Sequence, residues 1–280
     1  MKNEFIYDKI NQIIFKKLEQ GVIPWKASWY IHHEPAKNLI SKKEYRGINS
    51  FILNFSGYNS PFFLTYNQAV QLGGLVKKGE KGIPVVFWKI IEKEEENKQK
   101  KIPLLRYYTV FNVEQCDGLD DKMPATTTFK RPLNPIKEAE EIVLNMPLKP
   151  TIRHQGNRAY YQPVNDLVNI PNKDSFFSDE EYFCTIYHEL AHATGSSSRL
   201  NREAFKNTMF LNRHEYSKEE LIAEFTASYL CAKAGIEMTT IENNTSYIYG
   251  WLKVLGDQKN WLIMAASQAQ KAADYILNSQ

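Results

Sequence analysis

Cysteine is scarce in this chain. Its three thiols, Cys116, Cys184 and Cys231, are odd in number and show no C-x-x-C spacing. That argues against a disulfide framework and fits buried thiols in a reducing compartment. Long apolar runs are also missing: none reaches the roughly 18–20 residues a bilayer span needs, so no membrane partner is expected. The opening stretch from Met1 to Asp8 reads as the start of an amphipathic helix, not a secretion signal, because Asp8 and other polar residues interrupt it. A cytoplasmic setting is the expectation. Internal repeats are absent. The one low-complexity run, Glu92 to Lys101, reads as the solvated loop of a hairpin.

An excess of one charge is nearly absent as well, with a formal net charge of +3, but the balance hides an asymmetry. Residues 1–130 carry 20 Lys and Arg against 14 Asp and Glu, whereas residues 131–280 carry 15 against 18. A basic first half is weakly suggestive of a polyanionic partner. With 280 residues, 43% of them hydrophobic, the chain has material for one large or two ordinary domains. Composition shifts between Asp120 and Pro150, where turn residues and five prolines (Pro124, Pro132, Pro135, Pro147 and Pro150) cluster. The expected division is a first domain over 1–125, a linker and domain start over 126–150, and a second domain over 151–280.

The fold class expected is α+β in two domains. The first reads as helices near 3–20, 47–56 and 65–73, the last with Thr65 and Gln68 as a capping box, followed by strands near 83–91 and 104–113. The second reads as mainly helical with a small sheet. It has a helix over 135–145, short strands at 159–162 and 167–170, and one or two helices over 246–277.

One stretch names a reaction: Tyr187-His188-Glu189-Leu190-Ala191-His192, an H-E-x-x-H pattern. On a helix the two histidines share a face and reach one Zn²⁺, while Glu189 addresses a water at the open position. The helix is well marked. Ser178 is the expected N-cap, Glu181 its capping-box partner, Phe177 and Tyr182 a hydrophobic staple, and Gly195 the left-handed terminator. Zinc hydrolases need a third protein ligand. The segment Ser217 to Leu230 offers Glu220 and Glu224, one turn apart beside Ala223 and Ala227. Glu220 is the expected ligand and Glu224 the acceptor for a ligand imidazole N–H. The alternative exchanges them, with Glu220 completing a capping box on Ser217. Tyr216 and His214 are candidate oxyanion donors. One zinc ion per chain is the expected cofactor.

The first half interleaves cations and aromatics. Trp25 and Lys26 stand together; Lys42, Arg46 and Asn49 surround Tyr45; Lys77, Lys78 and Lys81 form a glycine-bearing turn leading to Phe87 and Trp88. Cations along phosphates and aromatic faces for bases are what single-stranded nucleic acid requires. The blander alternative makes the aromatics core and the lysines a solvated turn.

Pro24-Trp25-Lys26, Tyr45-Arg46-Gly47-Ile48-Asn49, Thr65-Tyr66-Asn67-Gln68-Ala69, Gly79-Glu80-Lys81-Gly82 and Tyr108 to Cys116 together resemble the ArdC-type antirestriction proteins. The H-E-x-x-H helix and Glu219-Glu220-Leu221-Ile222-Ala223-Glu224 extend the resemblance over nearly the whole chain. They also resemble zincin metallopeptidases whose second helix carries E-x-x-x-D, here ending in Glu224 instead of Asp. The resemblance implies an N-terminal domain that binds single-stranded DNA and a C-terminal zincin-like domain. It further implies protection of incoming mobile-element DNA from host restriction, with an unidentified protein substrate, a restriction component being one option. Two rivals are a non-catalytic DNA-coating or restriction-blocking protein with a structural zinc, and a host peptidase acting on DNA-bound proteins.

Overall fold

Ile6, Ile10, Ile14 and Leu18 recur at helical spacing and are all buried, on the apolar side of the first helix, α1 (Lys2–Glu19). The computed structural model describes residues 2–25, 34–54, 56–95, 98–124, 134–202, 205, 213–238, 245–257 and 259–279. Side chains at 2–3, 88–104, 213–216, 245–248, 254 and 257 fall outside that description. The chain forms two compact units, one of residues 1–16 and 33–129, the other of 17–32 and 130–280. Residues 17–32 therefore group with the C-terminal unit, although they precede most of the first one.

The first unit is α+β. Its main sheet runs β1 (Lys37–Asn38), β2 (Phe62–Thr65), β5 (Lys98–Asn112), β4 (Ile83–Glu95), with α2 (Ile48–Asn54) and α3 (Tyr66–Gln71) beside it. A two-stranded ribbon joins β3 (Leu75–Val76) to β6 (Cys116–Asp117). Strand alternation serves two small cores. Phe62 and Leu64 join Leu39, Ala69, Val113 and Leu119, while Phe63 between them turns to Ala36, Leu53, Val85 and Val110. The Thr65–Gln68 capping box forms with both of its hydrogen bonds. The acidic and basic run at 92–101 is not a loop: β4 and β5 stay in register out to Glu95↔Lys98. Glu92 stands opposite Lys101 and Glu95 opposite Lys98, a cross-strand arrangement that favours pairing.

The second unit is mainly helical with a small sheet. Asn134 caps α4 (Pro135–Leu144) by accepting from the Lys137 amide at 3.0 Å. The sheet orders β7 (Thr151–His154), β9 (Leu167–Ile170), β8 (Tyr160–Gln162), with β7 parallel and β8 antiparallel to the central strand. All four residues of β9 are buried. Against it packs α5 (Asp179–Ala193), on which α6 (Arg213–Ala234) and α8 (Trp261–Ile276) pack in turn, with α7 (Thr245–Asp257) preceding the last. Val168 and Ile170 share one core with Ile186, Tyr187 and Leu190 of α5, Ala227 and Leu230 of α6, and Ala273 and Ile276 of α8. Alanines at 223, 227, 265, 266, 269, 272 and 273 are all buried. Small side chains of this kind let helix axes approach closely, and Thr226 on α6 lies 3.4 Å from the Ala269 carbonyl of α8.

Candidate metal centre

α5 begins at Ser178, whose hydroxyl accepts from the Glu181 amide at 3.2 Å. The Glu181 carboxylate accepts from the Phe177 amide at 2.8 Å, one residue before the position a capping box would use. Phe177 is fully exposed, so the expected staple with Tyr182 does not form; Tyr182 packs instead on Phe176 and Phe183. Gly195 does not take a left-handed backbone. Its bare Cα permits a close pass: a Cβ there would lie 2.7 Å from Phe205 and 2.9 Å from the Arg202 guanidinium. Ser217 lies inside α6, which starts at Arg213, so it is not the N-cap that the alternative reading of Glu220 required.

Three side chains converge between α5 and α6. The Nε2 atoms of His188 and His192 are 3.1 Å apart, with rings inclined at 79°. Glu220 presents Oε2 to His188 Nε2 at 3.4 Å and Oε1 to His192 Nε2 at 3.3 Å. Among the described residues these three form the group whose ligand atoms all lie within 4.8 Å of one another. A tetrahedral ion with bonds of about 2.0–2.1 Å sets its ligand atoms about 3.3 Å apart, so two imidazoles and a carboxylate at these spacings fit a divalent cation. The three side chains retain 22%, 13% and 25% exposure. That leaves the access for water that distinguishes an open site from a closed structural one. Glu189, between the histidines, is buried.

A second carboxylate braces the centre from behind. Glu219, not Glu224, stands 3.7 Å from His192 Nδ1. Adjacent helix residues point about 100° apart, so Glu220 and Glu219 reach different nitrogens of one ring. Arg202 holds Glu219 through its Nε at 3.1 Å and a second Nη2 contact, and donates to Thr194 Oγ1 at 2.5 Å and to the Ala191 carbonyl at 2.8 Å. Sequence reading missed Glu219 and Arg202; the doubled glutamate at 219–220 was the available signal. Glu224 lies outside the convergent group. The side chains of Tyr216 and His214 fall outside the described residues.

These contacts set the protonation states before any cation binds. Burial pushes the His192 imidazolium down, but Glu219 and Glu220, with Glu189 further off, outweigh it and raise its pKa to about 10. Burial likewise opposes ionisation of Glu220, yet His188 and His192 hold it well below the usual carboxylate range. Glu219 is held below its ordinary value by His192 and Arg202 against the same burial. A cation held by His188, His192 and Glu220 would take the place of the His192 proton.

The cationic and aromatic positions of the N-terminal half divide differently. Trp25 is 1% exposed and packs edge-on against Phe225 and Trp251. It is an interior ring of the second unit, with no face for a base. Asn49 spends its amide on the Val86 backbone, accepting from N and donating to O at 2.7 Å each. Lys42 lies over the Phe62 ring at 5.0 Å, and Lys77 donates to the Glu114 carbonyl at 2.9 Å. Arg46, Lys78 and Lys81 are exposed. Lys26 and the Trp88 side chain lie outside the described residues. Phe87 and Tyr108 are each 48% exposed. The register Phe87↔Arg106 and Val85↔Tyr108 puts these two rings and the exposed Arg106 on one face of the hairpin. Strand alternation was the signal for Arg106 and Tyr108, which sequence reading passed over.

The fold and donor set of the second unit define a zincin-like metallopeptidase domain, and residues 137–268 match that family's sequence profile. Residues 4–111 match the N-terminal domain of the anti-restriction factor ArdC. The antirestriction ArdC protein of plasmid R388 superposes in its metal-free and Mn(II)-bound crystal structures with TM-scores of 0.74 and 0.76. Each is 34% identical and covers 98% of this chain and 97% of the other. The chain belongs to the ArdC antirestriction family. A Sinorhizobium fredii protein, y4eC, is 30% identical over 97% of this chain and 91% of its own length. Two Escherichia coli proteins named DNA primase TraC are 31% identical over 97% of this chain, which spans 20% and 27% of their lengths.

Proposed function

We propose that the protein is a zinc-dependent peptidase tethered to single-stranded DNA, which acts in the cytoplasm to protect incoming mobile-element DNA from restriction. The observation that carries the peptidase reading is the partly buried convergence of His188, His192 and Glu220 around one point, with Glu189 between the histidines. A divalent cation held there lowers the pKa of a water and polarises a peptide carbonyl. Glu189 takes the proton of the attacking water and delivers it to the leaving amine. Glu219 fixes His192 in the tautomer that carries its proton on Nδ1, leaving Nε2 as the donor atom. Binding to DNA raises the local concentration of DNA-bound protein targets. The hairpin face of Phe87, Arg106 and Tyr108 supports the DNA reading, because rings flanking a guanidinium suit stacked bases and their phosphates. Lys78 and Lys81 add cations on the preceding turn.

Glu189→Gln tests the mechanism. The variant is expected to bind one zinc ion and a labelled single-stranded oligonucleotide as the wild type does. It should lose cleavage of unfolded casein presented on that oligonucleotide. Cleavage at the wild-type rate refutes the assignment of Glu189. A wild type that cleaves nothing, yet protects a conjugating plasmid in a restricting recipient as well as Glu189→Gln does, favours DNA coating.

A further inference from the structure

Two of the three thiols meet inside the second unit. Cys184 on α5 and Cys231 on α6 are free and buried, with their Sγ atoms 2.9 Å apart although they stand 47 positions apart in the chain. A disulfide bond is about 2.0 Å long, so about 1 Å of closure separates contact from covalency. A thiol is a weak hydrogen-bond donor and does not hold such a pair together by itself. The packing of α5 against α6 around Tyr187, Leu190, Ala227 and Leu230 does. Cys184 lies one turn before His188, and neither thiol has a part in the proposed chemistry.

We propose that Cys184 and Cys231 are a reversible oxidation site, at which a hydroperoxide closes a disulfide between the two helices that carry the metal ligands. This inference goes beyond the peptidase reading and stands without it. Cys184, 8% exposed against 1% for Cys231, is the sulfur that meets the oxidant. Burial and the neighbouring Cys184 hold the Cys231 thiol well above its ordinary pKa, which keeps it protonated in the first step. The Cys184 sulfur attacks one peroxide oxygen and the O–O bond breaks. With hydrogen peroxide, Cys184 becomes a sulfenic acid, and the departing hydroxide leaves as water with the thiol proton. The Cys231 sulfur then attacks Cys184, the S–O bond breaks, and the oxygen leaves as a second water with the Cys231 proton. Two thiols are oxidised to one disulfide and one peroxide is reduced to two waters. The closed loop contains His188, His192, Glu219 and Glu220, so the bridge restrains all of the centre in the unfolded chain.

The test treats the folded, metal-free protein with hydrogen peroxide, quenches with catalase, and reads intact mass, unreduced peptide maps and thermal melting. The expected result is loss of two hydrogens, a linked peptide joining Cys184 to Cys231, and a melting temperature several degrees higher, all reversed by dithiothreitol. Cys116, in the first unit, should remain alkylatable. Cys231→Ser should stop at a dimedone-trappable sulfenic acid on Cys184 and gain no stability; Cys184→Ala should leave Cys231 unmodified. Three outcomes overturn the proposal: wild type that keeps three alkylatable thiols, Cys184 advancing to the sulfinic acid without a linked peptide, or a link that forms only after urea has unfolded the chain.

Discussion

His192 and its two carboxylates are where single residues decide most. Glu219→Gln is expected to leave the fold intact and weaken zinc binding by about 10–100-fold, measured by competition with a chromogenic chelator. An unchanged affinity would leave the ring held by other means. Arg202 and Glu219 keep only 4% and 2% side-chain exposure. Arg202→Met strands a buried carboxylate and should cost about 3–5 kcal/mol in urea unfolding; a loss below about 1 kcal/mol would show that water reaches Glu219. The pair of histidines was legible in the sequence because helical period and ligand chemistry coincide in five residues. The partition of labour between Glu219, Glu220 and Glu224 was not. All three are carboxylates within two turns, and only the rotation of α6 against α5 selects among them. Trp25 illustrates the opposite failure. A tryptophan beside a lysine suits a base or a core equally, and only tertiary packing shows which face is available.

At the scale of elements, Arg199 joins the end of α5 to the segment after α4 and the turn before β9. Its guanidinium donates to the Ala193 carbonyl at 3.1 Å, to the Leu148 carbonyl at 2.9 Å, and to both oxygens of Asp166 at 2.8 Å. Arg199→Lys keeps the charge but loses the fork, and should lower stability by about 2 kcal/mol in chemical denaturation; a loss within error would mean the other contacts suffice. The Arg199 hydrogen bonds hold the Asp166 carboxyl below its ordinary value. A depressed folded-state pKa contributes stability that is present above the unfolded value of 3.8 and fades as pH falls through the folded one. The melting-temperature gap between wild type and Asp166→Asn is therefore expected at pH 7 and should narrow below about pH 4. Asp166 is half exposed, so the gap should be small. The helices were legible from caps and periodicity, as the Thr65–Gln68 capping box and the Ser178 N-cap show. Strand β7 was not: it is short, follows Pro150, and buries none of its four residues fully, so no alternation marks it. The hairpin beyond Glu92 was misread because Glu and Lys have low strand propensity, whereas opposite charges in register across the ladder support pairing.

For the molecule as a whole, the chain divides into two compact units, residues 1–16 with 33–129 and residues 17–32 with 130–280. If DNA runs along the first unit, Lys78→Ala and Lys81→Ala should each flatten the salt dependence of oligonucleotide affinity by about 0.7 per lost phosphate contact. Lys77→Ala should instead loosen the ribbon it ties to Glu114 and Asp117. An identical slope in all three variants would move the phosphate track elsewhere. Phe87→Ala and Tyr108→Ala should cost about 1–3 kcal/mol of affinity each with the slope unchanged. The neighbouring positions 219 and 220 carry one last implication. A single inserted residue in α6 ahead of them would swing both carboxylates about a quarter turn and empty the front and the rear of the same imidazole together. Evolution cannot therefore edit the rod itself by one residue, and insertions among relatives should fall almost entirely outside 213–234.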